Sequence, residues 1–148
     1  MHPHWFLILA TLALSLLANG LPALLGLLLG RGRPLDGGHR LGDGRPLFGP
    51  AKTVRGVLAA LVATPLAAAA LGLAWQVGLL VALGAMLGDL LASFTKRRLG
   101  LPSSAKVPLL DTVPESLLPV LLVMGQLRLG WLDLALLILV FGVLDLVL

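Results

Sequence analysis

Residues 88–98 carry the densest set of side chains in this chain that can do chemistry. An apolar stretch gains a carboxylate at Asp89, a hydroxyl at Ser93 and cations that include Lys96 and Arg97. At 3.6 residues per helical turn, these positions follow one face of a helix. A carboxylate inside a membrane helix is costly and normally faces a cavity or a partner. A carboxylate that can bind a metal, next to a cluster of basic residues, favours metal-bound polyphosphate as the molecule that binds here.

The composition identifies the protein class in which this site must work. The chain is 58% hydrophobic and 12% charged, whereas a soluble domain is about half apolar and about a quarter charged. We therefore predict an integral membrane protein. The absence of cysteine excludes disulfides and thiolate-bound metals. The net charge of +4 is explained by the bilayer better than by nucleic acid, because no aromatic residues are interleaved with the cations.

Five apolar stretches predict an all-α fold with about five transmembrane helices in a single domain, residues 1–148. Each stretch is as long, or nearly as long, as the roughly 20 residues that a helix needs to cross a bilayer. We expect the first to be retained as a span rather than cleaved as a signal peptide, because no basic segment precedes it. The predicted spans are residues 5–29, 57–73, 77–94, 109–125 and 131–148.

The cations predict the orientation of these spans. Ten of the eleven Lys and Arg residues fall in two connections, a Gly/Arg-rich loop at 30–56 and a basic loop at 96–108. Cytoplasmic loops are enriched in Lys and Arg. Both loops are therefore predicted to be cytoplasmic, with the N-terminus outside and the C-terminus inside.

The end of the first loop has side chains suited to phosphate. Lys52 offers a point charge, Thr53 a hydroxyl and Arg55 a planar fork. Glycines throughout the loop permit a close approach of the backbone to a ligand. The spacing does not match a Walker A loop. The alternative is a solvated, flexible loop that serves only the positive-inside pattern.

A second carboxylate, Asp111, opens the predicted fourth span at the same membrane level as Asp89. Two carboxylates from different helices can share a hard divalent cation with phosphate oxygens. Asp111 can equally cap its helix, where the N-terminal dipole favours negative charge. One turn later, Glu115 is either an outer ligand or a partner for Arg97 or Arg98.

Two further features concern the substrate. Asn19 and Pro22 are expected to break the first helix, which would leave Asn19 able to hydrogen-bond a substrate headgroup. Gly84 and Gly88 form a GxxxG pair, which serves either plain helix packing or a groove for lipid chains beside Asp89. Asp145, near the end of the last span, is not assigned to the site.

Five collinear segments resemble the CDP-archaeol synthase family, which is distantly related to CDP-diacylglycerol synthases. Archaeal members typically continue their last motif with Gln-Leu-Asp, whereas Thr-Val-Pro-Glu follows Asp111 here, which resembles a bacterial branch. The lipid chemistry is therefore left open. The matching segments are Asn-Gly-Leu-Pro at 19–22, Arg-Pro-Leu-Asp-Gly-Gly at 33–38, Phe-Gly-Pro-Ala-Lys-Thr-Val-Arg-Gly at 48–56, the stretch 88–100, and Leu-Asp at 110–111.

The resemblance implies a membrane enzyme that transfers CMP from CTP to a lipid phosphate with Mg²⁺ and releases pyrophosphate, with its site on the cytoplasmic face of a bacterial inner membrane. It implies catalytic roles for Asp89, Lys96 and Asp111, with Mg²⁺ on the two aspartates. The competing hypothesis is a non-enzymatic scaffold or transporter subunit that binds anionic lipids through its basic loops. The residues expected to bind substrate are Asn19, Asp36, Lys52, Thr53, Arg55, Gly56, Ser93, Arg97 and Arg98.

Overall fold

The computed structural model describes residues 4–103 and 105–147 and contains five α-helices. It confirms the all-helical class, and the helices begin and end within a few residues of the predicted spans. Short loops join α2 to α3 and α4 to α5, whereas the two basic segments form the longer connections. The helices are α1 (Trp5–Leu29), α2 (Val54–Ala70), α3 (Trp75–Arg98), α4 (Pro108–Leu127) and α5 (Trp131–Val147).

Three of these helices, α1, α3 and α4, are long and apolar enough to cross a membrane. Helices α2 and α5 have 17 residues each, slightly below the roughly 20 that a full crossing needs. The number of complete spans and their orientation therefore remain predictions.

Glycines on α3 allow α4 to pack directly against it. A Cβ atom built at Gly84 would lie 2.6 Å from both Cα and N of Pro119. At Gly88, the same atom would overlap the carbonyl group of Pro114. Close backbone contact of this kind is how small residues stabilise membrane helix pairs. The prediction of a lipid groove beside Gly84 and Gly88 is therefore wrong, because the α4 backbone fills that space.

Helix α1 runs without interruption through Pro22, so the predicted break at Asn19–Pro22 is also wrong. A proline inside a helix removes one backbone hydrogen bond. Neighbouring contacts hold the helix on both sides of it. The Asn19 side-chain amide donates to the Ser15 carbonyl at 3.1 Å, and Gly56 of α2 allows Pro22 to approach, since a Cβ there would lie 2.9 Å from that of Pro22.

The packing of α1 explains where the interior is left open. Its first half joins α4 and α5 in one hydrophobic cluster, which includes Ile8, Leu12, Val120 and Phe141. Further along α1, Ala18 packs instead in a cluster with residues of α2 and α3. The second half of α1 therefore lies against α2 and α3, and residues of both α1 and α5 line a cavity.

The loop between α1 and α2 is folded around Asp36. Its carboxylate accepts hydrogen bonds from the backbone N–H groups of Gly38, Phe48 and Gly49 at 3.0–3.1 Å. Burial raises the pKa of Asp36, but these backbone hydrogen bonds outweigh burial and hold the pKa below its ordinary value of 3.8. Gly49 has a φ of 95°, which favours glycine. The loop thus holds its last residues, including Lys52, in place beside α3.

Candidate active site

One cavity of about 730 Å³ lies among all five helices and the two basic loops. Its walls are apolar on the sides of α1 and α5, where Leu16, Leu27, Phe141 and Leu146 line it. Most of its polar residues come from the starts of α2 and α4, the end of α3 and the loops beside them, and Asn19 of α1 and Asp145 of α5 add two more. A ligand with an anionic head and apolar chains matches this division.

The first polar group in the cavity is an ion pair between Lys52 and Asp89. The Lys52 ammonium lies 2.5 Å from Oδ1 of Asp89, and both side chains are less than a quarter exposed. Two backbone hydrogen bonds hold Lys52 and its neighbours against the start of the loop, from Leu35 N–H to the Lys52 carbonyl and from Val54 N–H to the Arg33 carbonyl. Lys52 and Asp89 therefore meet because the folded loop brings the lysine to α3.

The second polar group is the pair of Lys96 and Asp111, at 2.6 Å. Asp111 pairs with Lys96 through Oδ1, and its Oδ2 accepts a hydrogen bond from the Val107 N–H at 2.8 Å. Lys96 also donates to the Ala105 carbonyl. Asp111 thus caps the start of α4, as one of the two alternatives predicted, and also lines the cavity. Its role as a metal ligand stays a prediction.

Glu115 lies on the cavity wall within hydrogen-bonding reach of Asp89. Asp145 of α5 also lines the cavity and is close enough to Glu115 for electrostatic interaction; it accepts a hydrogen bond from Thr112 at 2.8 Å. Asp145 was left out of the predicted site, and the structure places it on the site's wall. Glu115 faces Asp89 rather than Arg97 or Arg98.

Six of the residues predicted for the site line the cavity, namely Asn19, Lys52, Thr53, Asp89, Lys96 and Asp111. Thr53 also caps α2, because its hydroxyl accepts a hydrogen bond from the Gly56 N–H at 3.1 Å.

The other six predicted residues lie outside the cavity wall. Asp36 holds the first loop together, and Gly56 packs against Pro22. Arg55 donates to the carbonyls of Leu25 and Gly30 at the end of α1. Ser93 is buried within the helix bundle.

Arg97 and Arg98 tie the loops to the end of α3. Arg97 is buried and donates to the Pro102 carbonyl at 2.7 Å. Arg98 pairs with Asp43 at 2.7 Å, donates to loop carbonyls and lies over the Phe94 ring. These contacts hold the loops in place, and direct contact of Arg97 and Arg98 with substrate stays a prediction.

Three polar residues on the cavity wall were not singled out from the sequence, namely Arg31, Ser103 and Lys106. Arg31 and Lys106 are exposed. Both were counted among the loop cations, and no spacing signal distinguished them from the other basic residues.

The acidic residues of the cavity suit a Mg²⁺ ion that is also bound by the phosphates of the substrate. Within residues 4–103 and 105–147, no three His, Cys, Asp or Glu side chains are grouped as a ready metal cage. Mg²⁺ usually takes only one or two carboxylates and completes its coordination with water and substrate phosphates. Asp89 of α3 and Asp111 and Glu115 of α4 all line the cavity. This donor set fits a hard cation that arrives with polyphosphate.

The helices and the cavity together define an integral membrane protein with a charged site in a cavity at one end of its bundle. Comparison with known proteins gives the family. The CarS-like CDP-archaeol synthase family matches residues 5–75 and 67–147, and the chain belongs to this family.

Individual relatives agree with this assignment. The CDP-archaeol synthase of Sulfolobus acidocaldarius is 43% identical over 68 residues, which cover 43% of this chain and 42% of that protein. The enzyme of the same name from Pyrococcus furiosus is 45% identical over 65 residues, 37% of this chain and 39% of the relative. The matched stretch thus spans about two fifths of the length of these curated relatives.

A solved structure extends the likeness to almost the whole chain. It is described as an intramembrane enzyme for archaeal membrane lipids biosynthesis. It is 31% identical, superposes with a TM-score of 0.71, and the match covers 90% of this chain and 89% of that chain.

Proposed function

We propose that this protein is a CTP-dependent cytidylyltransferase, which transfers CMP from CTP to a lipid phosphate and releases pyrophosphate. The observation that carries the proposal is the cavity, where two Lys–Asp pairs lie beside apolar walls from α1 and α5. Membership of the CDP-archaeol synthase family supports the same reaction. A scaffold that binds anionic lipids through its loops needs no such cavity between its helices.

The reaction requires charge neutralisation and positioning rather than a covalent nucleophile. An oxygen of the lipid phosphate attacks the α-phosphorus of CTP, and the bond from that phosphorus to the pyrophosphate oxygen breaks. Lys52 and Lys96 both reach the cavity and can exchange a carboxylate partner for a phosphate oxygen. Their role is to hold the phosphates in line and to stabilise the negative charge of the transition state.

Asp89 and Asp111 would hold Mg²⁺, with Glu115 beside Asp89. When bound, Mg²⁺ would neutralise phosphate charge and orient the triphosphate. In this chain, Glu115 would take the place of the second carboxylate that archaeal relatives carry after the aspartate at position 111. Asp111 keeps its helix-capping bond to Val107 through its other oxygen.

The apolar walls would receive the lipid. Leu16, Ala23 and Leu27 of α1 line the cavity together with Phe141 and Leu146 of α5. This space replaces the Gly84–Gly88 groove as the site of the lipid chains. The proposal covers ether-linked and ester-linked lipid phosphates. The positive-inside pattern supports a cytoplasmic site. A bacterial inner membrane is proposed because Thr-Val-Pro-Glu after Asp111 resembles a bacterial branch of the family.

The test is to incubate the purified protein with labelled CTP and a panel of ether and ester lipid phosphates. We expect Mg²⁺-dependent transfer of label to lipid, with ATP used far less well and no transfer in EDTA. Binding of CTP and ATP alike, weakened equally by salt and without transfer, would instead identify the scaffold.

A further inference from the structure

We propose that Arg31 binds the phosphate of the lipid substrate. This inference rests on the proposed function, and it adds which residue of the cavity receives the lipid headgroup.

Arg31 is a cation of the cavity wall that is not engaged by a carboxylate. It lines the cavity and is exposed. In the described part of the chain, the ion pairs involve Lys52, Lys96 and Arg98, but not Arg31. Its guanidinium can therefore bind an anion without first leaving a partner, whereas Lys52 and Lys96 must each leave an aspartate.

Arg31 lies where the apolar wall formed by α1 ends. Ala23 and Leu27 line the cavity, and α1 ends at Leu29, two residues before Arg31. Since Arg31 lines the same cavity, this wall is apolar along the last turns of the helix and cationic just beyond its end. A lipid phosphate has the same order of parts, because its chains are apolar and its phosphate lies at one end.

The apolar part of the wall is open to the surroundings of the helices. Leu27 of α1 and Leu146 of α5 line the cavity, yet they are 84% and 69% exposed. A side chain that belongs both to the wall and to the outer surface lies at an opening of the cavity. Both leucines are on apolar helices, so lipid chains can reach the cavity there, and Leu27 is only four residues before Arg31.

Contacts with the start of α2 hold the backbone on both sides of Arg31. Arg55 donates to the Gly30 carbonyl, and the Val54 N–H donates to the Arg33 carbonyl at 3.0 Å. A side chain on a backbone that is already held in place loses less conformational freedom when it binds a ligand. Arg31 is thus a fixed point at the end of the wall, although its side chain is exposed.

A guanidinium suits the phosphate of this substrate. A lipid phosphate is a monoester, which carries about −1.5 to −2 charges at pH 7. Arginine can donate two parallel hydrogen bonds to its oxygens, whereas lysine acts as a point charge. Arg31 would hold the attacking phosphate at the end of the apolar wall, while Lys52 and Lys96 hold the triphosphate.

Lys106 is also an exposed cation of the wall, but it is placed differently. The Ala105 carbonyl before it accepts a hydrogen bond from Lys96, and the Val107 N–H after it donates to Asp111. Lys106 therefore belongs to the polar end, where the nucleotide phosphates are proposed to bind, and not to the apolar wall of α1.

The experiment first measures binding of labelled phosphatidic acid and its ether-linked analogue to the full-length protein in neutral detergent micelles, without nucleotide. It then measures the KM for the lipid phosphate and for CTP in the transfer reaction. The variants are Arg31→Ala, which removes the cation, and Arg31→Lys, which keeps the charge without the planar fork. Arg40→Ala is the matched control, because Arg40 is an exposed arginine of the same loop that lies outside the cavity wall. Phosphatidylglycerol, a phosphodiester, is the competitor that reports attraction to any anionic lipid.

We expect Arg31→Ala to weaken binding of the lipid phosphate and to raise its KM by about tenfold, and Arg31→Lys to do so by about threefold, because the bidentate contact is lost in whole or in part. The KM for CTP should stay within about twofold of wild type, since the triphosphate binds elsewhere. Arg40→Ala should behave as wild type. Phosphatidylglycerol should compete about tenfold less well than phosphatidic acid against wild type, and about equally well against Arg31→Ala.

An unchanged affinity for the lipid phosphate in Arg31→Ala would overturn the assignment. Equal losses in Arg31→Ala and Arg40→Ala would also overturn it, because they would indicate general attraction to the basic loop. A rise confined to the KM for CTP would assign Arg31 to the nucleotide instead. Arg31-dependent binding of lipid phosphate by a protein that transfers no CMP would support this site and refute the proposed function. Normal transfer with an unchanged KM for the lipid phosphate in Arg31→Ala would do the reverse.

Discussion

Substitution of Gly84 by alanine tests whether contact between α3 and α4 holds the site together. The added Cβ would lie 2.6 Å from two backbone atoms of Pro119 and 2.9 Å from the Leu118 carbonyl carbon. Ordinary contact begins at 3.4 Å, so α4 must move away by about 0.8 Å. These are backbone atoms, which cannot yield as the end of a side chain can.

Overpacking of this kind costs about 1–3 kcal/mol, whereas alanine gains up to about 1 kcal/mol over glycine in a helix. Gly125→Ala is the matched control, because nothing lies within 4 Å of a Cβ at that position of α4. We therefore expect Gly84→Ala to be less stable than Gly125→Ala by about 1–3 kcal/mol, measured by unfolding in mixed micelles.

The same displacement should reach the site. Helix α4 carries Asp111 and Glu115, while α3 carries Asp89. A misplacement of about 1 Å can cost about 100-fold in rate. We expect CTP turnover to fall by about 10- to 100-fold in Gly84→Ala and to be unchanged in Gly125→Ala. Equal stability and turnover of the two variants would refute the close packing of α3 on α4.

Three further predictions concern single side chains. Lys52→Met should weaken CTP binding by at least about tenfold, because it removes a cation that would pair with phosphate; wild-type affinity in a titration would contradict this. Glu115→Gln should raise the Mg²⁺ concentration needed for half-maximal transfer by about 10- to 100-fold, and an unchanged Mg²⁺ dependence would exclude Glu115 from the metal's surroundings. Asp36→Asn should lower the free energy of unfolding by about 1–3 kcal/mol near neutral pH. The folded-state pKa of Asp36 lies below 3.8, so its stabilisation is present above that pH and is lost as the pH falls through the folded pKa. A stability difference between wild type and Asp36→Asn that stayed constant into that acid range would contradict the role of the ionised carboxylate.

Much of the fold could be predicted because membrane helices are specified locally. Length, hydropathy and the position of the cations are enough to mark where a span such as Trp75–Arg98 begins and ends. The helix break predicted at Pro22 was wrong because the rule that proline interrupts a helix is local, whereas tertiary contacts decide whether α1 continues. The same holds for Gly84 and Gly88, whose sequence pattern is identical whether a lipid or another helix lies against them.

The site was predictable only in part, for a similar reason. Asp89 and Asp111 stand out because a carboxylate in an apolar helix is costly. Cations are common at membrane surfaces, so the number of cations in a loop does not show which of them reach the cavity. Lys52 pairs with Asp89 in the cavity, whereas Arg55 donates to a carbonyl at the end of α1. Asp145 was missed because its proximity to the cavity depends on how α5 packs against α4.

The most direct test of the account is transfer of labelled CMP from CTP to lipid phosphate by the Asp89→Asn variant of the purified protein, at saturating Mg²⁺. The substitution keeps the size of the side chain and removes the charge that pairs with Lys52. We predict a loss of at least about 100-fold relative to wild type, with the protein still folded. Full Mg²⁺-dependent turnover by Asp89→Asn would contradict the assignment of this cavity as the site of cytidylyl transfer.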